Sequence, residues 1–160
     1  MPDLRPLTPA DHDSLVAVYR DAVESQTGGL YSPAQVEAWA RYPSRCGALR
    51  QPLQEGFGLA SVGGEGKGPG APIEAFGILH PADRLALLYC RGRSCRQGRS
   101  SAILAALEHH AARAGIPQLR TEASQLSRPL LERRGWQVEA EETVLFAGEW
   151  FLRWRMIKGL

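Results

Sequence analysis

Lysine is nearly missing from this 160-residue chain: Lys67 and Lys158 are the only two, and arginine supplies the rest of its 19 basic residues. A charge excess is missing as well. Seventeen acidic residues bring the formal net charge to +2, which excludes any argument from overall charge for a nucleic-acid or anionic-membrane partner. Cysteine is sparse: Cys46, Cys90 and Cys95 are odd in number and lack C-x-x-C spacing, so neither a disulfide framework nor a zinc ribbon is indicated, and a reducing cytosol fits. No apolar run approaches the roughly 20 residues of a membrane helix. The opening stretch, with Asp3, Asp11 and Asp13, lacks the apolar segment of a secretion signal. The expectation is a cytoplasmic protein with no membrane partner and no metal. No repeat or linker divides the chain, so one domain over 1–160 is expected. At 44% apolar and 22% charged residues it has the profile of a folded domain. A chain of this length buries about 70% of its unfolded surface, enough for an unaided core.

Periodicity sketches the elements. Asp3 to Leu7 alternates as a short strand, and Thr8-Pro9 gives a helix cap followed by proline. Leu15, Val18, Tyr19, Ala22 and Val23 then recur at helical spacing, and Ser32-Pro33 repeats the cap before Val36, Trp39 and Ala40. Phe57 to Val62 and Ile73 to Leu79 read as strands flanking Gly63–Gly70, a mobile connection that lacks the GxxxxGK[ST] pattern of a nucleotide loop. Leu85 to Cys90 is a third strand of this group. It runs into an arginine-rich turn, Arg91 to Ser101, ahead of a helix with Ile103, Ala106, Leu107, His110 and Ala114 on one face. Leu119 to Ala123 is a strand, Ser127-Arg128-Pro129 opens a short helix, and Trp136 to Ala140 and Trp150 to Met156 close the set. The order predicts a mixed α/β domain with one strand-helix-strand crossover, hence a parallel pair within a mainly antiparallel sheet.

The turn from Arg91 to Ser101 carries the chemistry. Peptide N–H groups at a helix N-terminus, with Gly98 admitting a ligand closely, make an anion site, to which the helix dipole adds about half a positive charge. Arg91, Arg93, Arg96 and Arg99 are expected to place four guanidinium groups where phosphates can be met. Cys95-Arg96-Gln97-Gly98-Arg99-Ser100 here resembles the acetyl-CoA motif of the GCN5-related N-acetyltransferases, Arg/Gln-x-x-Gly-x-Gly/Ala between a strand and a long helix. Cys95 and Ser100 depart from the usual residues at the ends of the motif. The element order matches that family over nearly the whole chain. Thr121 to Ser124 and Arg128 to Trp136 are similar to its fifth strand, next helix and glycine-aromatic approach to the sixth strand.

The resemblance implies a mainly antiparallel central sheet of about seven strands with flanking helices, in which strands 4 and 5 form a splayed parallel pair around the cofactor. It further implies acetyl-CoA as cosubstrate, Leu88 and Cys90 offering backbone hydrogen bonds to the pantetheine arm, and Cys95, Arg96, Gln97, Gly98, Arg99, Ser100 and Ser101 around the pyrophosphate. The acceptor would be an amine of a small molecule or peptide, not a nucleic acid, and the protein a monomer or homodimer. The family shapes its acceptor site with the first two helices and the loop before the last strand, here Thr8 to Arg41 and Thr143 to Glu149.

Deprotonating a lysine-like amine at pH 7 costs about 4.6 kcal/mol, so a base is needed. Glu122, at the end of the fifth strand, is the candidate, or else an ordinary partner for a neighbouring arginine. Where relatives place a tyrosine acid this chain has Leu130-Leu131, which leaves Tyr89 and Tyr31 as candidate proton donors, or packing residues, unless the thiolate departs unaided. His80 is expected near the cleft, while the adjacent His109 and His110 face different ways and make no metal site. The four tryptophans read as core or acceptor-pocket walls. Cys95, beside Arg93 and Arg96 at a helix N-terminus, is expected to have a lowered pKa and raised reactivity, though no catalytic role. The alternative to an enzyme is a non-catalytic domain that senses acyl-CoA or binds a partner.

Overall fold

A computed structural model describes residues 3–63 and 70–160. Residues 64–69, the bulk of the expected glycine-rich connection, lie outside them. Strand β1 (Asp3–Pro6) leads into a single 3-10 turn, Pro9–Asp11, and then α1 (His12–Gln26). The proline-started helix thus begins a turn later than expected. Asp11 accounts for this: its carboxylate accepts the Thr8 N–H at 2.9 Å and pairs with both ends of the Arg5 guanidinium at 2.9 Å, which fixes a tight turn. Helix α2 (Pro33–Cys46) starts in a capping box, with Ser32 Oγ accepting from Gln35 N–H and Gln35 Oε1 accepting from Ser32 N–H. A short helix, α3 (Arg50–Glu55), lies where no element is expected.

Four strands follow the antiparallel order β1-β2-β3-β4, with β2 at Phe57–Val62, β3 at Ile73–Leu79 and β4 at Leu85–Cys90. Helix α4 (Arg99–Arg113) packs across β3 at Gly77, where a Cβ would come within 2.8 Å of Ile103 and 3.0 Å of Leu107; only glycine lets the two backbones approach this closely. Its buried face comprises Ile103, Leu104, Leu107, Glu108 and Ala111, turned by a residue from the sequence reading. The turn is set by Glu108, a buried carboxylate held by Trp136 Nε1 (3.0 Å), Arg134 (3.1 Å) and Lys158 Nζ (2.8 Å). His110 is displaced to the surface, stacked 3.5 Å from Phe57.

Strand β5 (Gln118–Ala123), helix α5 (Arg128–Arg133) and the strands β6 (Gln137–Phe146) and β7 (Glu149–Gly159) complete the chain. Here two expectations are corrected. The seven strands form two sheets, of four and three strands (the second ordered β5-β7-β6), not one. The segment from Thr143 to Glu149 is no loop: β6 and β7 form one long hairpin turned by Ala147 and Gly148, both left-handed at φ 53 and 84. Between the sheets, β4 and β5 meet only at their beginnings. Arg84 and Arg120 form one parallel bridge, Arg120 N–H donates to Asp83 O at 3.0 Å, and Thr121 Oγ donates to Leu85 O at 2.7 Å. Beyond that point the strands have no ladder between them.

Two apolar clusters hold the layers. One joins α4, α5 and Trp136 to the back of both sheets. The other joins α1, α2 and α3 to the front, through Leu15, Trp39, Phe76 and Phe151. Among the described residues no helix is long and apolar enough to cross a membrane.

Candidate functional site

Where β4 and β5 part, a cleft of about 610 Å³ opens, running from the N-terminus of α4 to the tip of the β6–β7 hairpin. Alternation along the strands decides what it receives. Tyr89 and Leu87 on β4 pack with the front cluster, whereas Leu88 and Cys90 pack with the back one. Glu122 stands opposite Arg155 on β7, two positions from Arg153, so it too is on the front face.

At one end of the cleft, Gly98 heads α4 in the left-handed region at φ 77, and a Cβ built there would meet nothing within 4 Å. No side chain caps the helix. Among the described residues the peptide N–H groups of Gly98, Arg99, Ser100 and Ser101 have no protein acceptor, and all four residues line the cleft. Cys95 and Arg96 line it as well, Arg96 itself being left-handed at φ 62. Gln97 does not; its side chain accepts from Arg99 Nε at 3.1 Å.

The four guanidinium groups expected here divide three to one. Arg91 donates to Ile73 O at 3.0 Å, and Arg93 makes a two-pronged pair with Glu74 at 2.8 and 2.7 Å. Arg99 donates to Ser61 Oγ at 2.8 Å and Val62 O at 3.1 Å. Only Arg96 has no partner among the described residues. The turn is held from beneath by groups that the sequence did not announce. Glu74, buried on β3, accepts from Arg93 and from Ser94 Oγ at 2.5 Å. Arg93 and then Ser94 hydrogen bonds outweigh burial and hold the Glu74 carboxyl at about 2, below its ordinary 4.5. Asp21 on α1 accepts the Gly92 N–H at 2.8 Å. Arg133 on α5 is a further exposed cation at the cleft that the sequence reading passed over.

Cys95 corrects another expectation. Burial pushes its thiol up rather than down, and its Sγ lies 3.5 Å from Arg91 O, while Arg93 is committed to Glu74. Cys90, also buried, is pushed up to about 12, and its carbonyl accepts from Gln26 Nε2 at 2.6 Å.

Toward the middle of the cleft, Glu122 Oε2 accepts from Arg84 Nε at 2.9 Å, so the carboxylate is paired, while Oε1 has no partner among the described residues. The Tyr89 hydroxyl accepts from Trp39 Nε1 at 3.2 Å, and burial raises its pKa. Tyr31, from the α1–α2 connection, accepts the Gln125 N–H at 3.1 Å and is likewise raised by burial. Leu130 lines the opposing wall. His80 is outside the cleft, 3.1 Å from Glu55 on α3.

No protein-family model matches the chain, and no curated protein matches it. Solved structures do. A GCN5-related N-acetyltransferase from Rhodopseudomonas palustris, also described as a class-II aminotransferase, superposes with a TM-score of 0.90 at 26% identity, over 100% of this chain and 96% of that one. The PaiA N-acetyltransferase of Thermoplasma acidophilum, in complex with coenzyme A, gives 0.77 at 18% identity, over 100% and 99%. The acetyltransferase YncA of Salmonella typhimurium, with acetyl-CoA, gives 0.63 at 16%, over 100% and 94%.

Proposed function

The chain belongs by its fold to the GCN5-related N-acetyltransferase superfamily, and from that premise we propose that it moves an acetyl group from acetyl-CoA to a primary amine of a small molecule or peptide. The observation that carries this reading is the uncapped N-terminus of α4, whose Gly98–Ser101 N–H groups open onto the gap between β4 and β5. Such a terminus suits a diphosphate, with Arg96 and Arg133 as the cations beside it. The β4 edge beyond Leu85, free of a β5 ladder, suits the amide groups of a pantetheine arm through Leu88 and Cys90. Gln26 already takes the Cys90 carbonyl, which leaves Leu88 the greater share.

The reaction joins the amine nitrogen to the acetyl carbon, breaks the thioester bond and returns a proton to sulfur. Glu122 takes the proton lost by the amine, through water at Oε1, while the Arg84 hydrogen bond to Oε2 holds the carboxylate aimed. Tyr89, protonated at neutral pH, accepts from Trp39 and lies against the Tyr19 hydroxyl; its O–H is the candidate donor to the departing thiolate. A thiol with a pKa of about 8.5 leaves readily, so this help is modest.

The test is calorimetric titration with CoA, followed by CoA-thiol release from acetyl-CoA in the presence of an amine panel. Binding together with amine-dependent release is expected. Binding without release from any amine indicates the non-catalytic acyl-CoA-sensing alternative, and absence of binding overturns both.

A further inference from the structure

Aromatic rings crowd the far end of the cleft, beside Leu49, Pro52, Val144 and Leu152. Seven of the chain's 12 aromatic residues line the cleft, including all four tyrosines. None of them comes from the α4 turn that suits the cofactor. They come from α1, β4, the α1–α2 connection, α2 and the β6–β7 hairpin. Tyr31, Trp39 and Phe151 meet one another with ring centres 5.3 to 6.0 Å apart, and Tyr42 packs on Phe146 at 4.4 Å. The Trp39–Phe151 and Phe146–Phe151 pairs are edge-to-face at 76° and 79°, an arrangement that continues naturally onto one more flat ring. Tyr31, Tyr42 and Phe146 are only half buried, so part of each ring faces the open space.

Charge points the same way. The cleft's ionisable wall holds Arg84, Arg96, Arg99, Arg133 and Arg153 against one carboxylate, Glu122, which is itself paired with Arg84. No free carboxylate there could hold a second ammonium group, and a polyamine would carry several positive charges past these guanidinium groups.

We infer that the acceptor is a monoamine attached to an aromatic or similarly flat apolar group, seated among Tyr31, Trp39, Tyr42, Phe146 and Phe151. This rests on the acyl-transfer reading above and narrows its substrate class. The experiment compares 2-phenylethylamine, isobutylamine and spermidine as acceptors by CoA-thiol release, with CoA affinity measured separately by calorimetry. Phenylethylamine should exceed spermidine in kcat/KM by at least about 100-fold. Phe146→Ala should raise KM for phenylethylamine about tenfold while changing that for isobutylamine less than threefold. Equal or better turnover of spermidine overturns the inference, as does failure of phenylethylamine to react with CoA bound. Loss of CoA binding in the unsubstituted protein would instead strike the acyl-transfer reading itself.

Discussion

The two ends of the cleft are built in opposite ways. At the α4 end unpartnered peptide N–H groups face the opening, and the arginines around them are mostly turned inward to hold the turn: Arg91 to Ile73, Arg93 to Glu74, Arg99 to Ser61. At the hairpin end the wall is made by aromatic side chains from several distant stretches, packed on one another. A backbone site tolerates changes in the residues that spell it, as long as the turn keeps its shape. If the turn binds the cofactor through its backbone, Cys95 and Ser100 can stand at positions where other residues are usual. An aromatic enclosure has no such freedom, because every ring is both wall and neighbour.

The sharpest way to break this contrast is at Gly98. Gly98→Ala adds a Cβ with room to fit but at φ 77, a strain of about 1 kcal/mol, whereas Gly98→Asp adds a carboxylate to the anion site as well. The aspartate should weaken CoA binding by at least about 100-fold and the alanine by about tenfold or less, with both proteins folded by circular dichroism. Equal losses from the two would mean that backbone shape, not anion recognition, dominates at this end. Next in size is the anchor beneath the turn. Glu74→Gln keeps the shape and removes the charge. Stabilisation from a carboxyl held at about 2 instead of 4.5 is complete above pH 4.5 and is lost as pH falls through that value toward 2. With discount for the exposed Arg93 it is about 2 kcal/mol, or roughly 4–8 °C in Tm. The substituted protein should therefore melt lower at pH 7 and show a shallower loss of stability on acidification. Parallel pH profiles would remove Glu74 as the anchor.

The contrast also explains what the sequence disclosed. The strand-turn-helix around Gly98 is local, so its residues sit side by side in the chain and the uncapped start of α4 could be read directly. Tyr31, Trp39 and Phe151 were visible as aromatics, but which surface they share is decided by how α2 crosses β7. Glu74 sat within an apolar stretch, and its purpose depends on Arg93 and Ser94 on the next strand's far side. The β6–β7 hairpin was missed for two reasons. Ala147 adopts a left-handed conformation that alanine does not advertise, and the loop before the last strand was laid over Thr143 to Glu149 by resemblance, not by the pattern of those residues. Glu122 was legible as a carboxylate at the end of β5, but its pairing with Arg84 follows from the parallel bridge at Arg120 and from nothing in the local sequence.

The smallest effect sharpens the comparison from the side-chain direction. If the α4 end works through its backbone, the Cys95 thiol is a packing group and should behave as one. Its pKa is raised by burial, and Cys90 beside it is raised further, so neither offers much thiolate at neutral pH. Cys46 is exposed near the end of α2. Iodoacetamide at pH 7.5, followed by peptide mass mapping, should therefore modify Cys46 well before Cys95, with Cys90 slowest. Saturating CoA should slow Cys95 further by covering the turn, and leave Cys46 unaffected. Faster labelling of Cys95 than of Cys46 would mean that the guanidinium groups of the turn act on the thiol after all, and the division between a backbone end and a side-chain end would fail at the residue where it is easiest to measure.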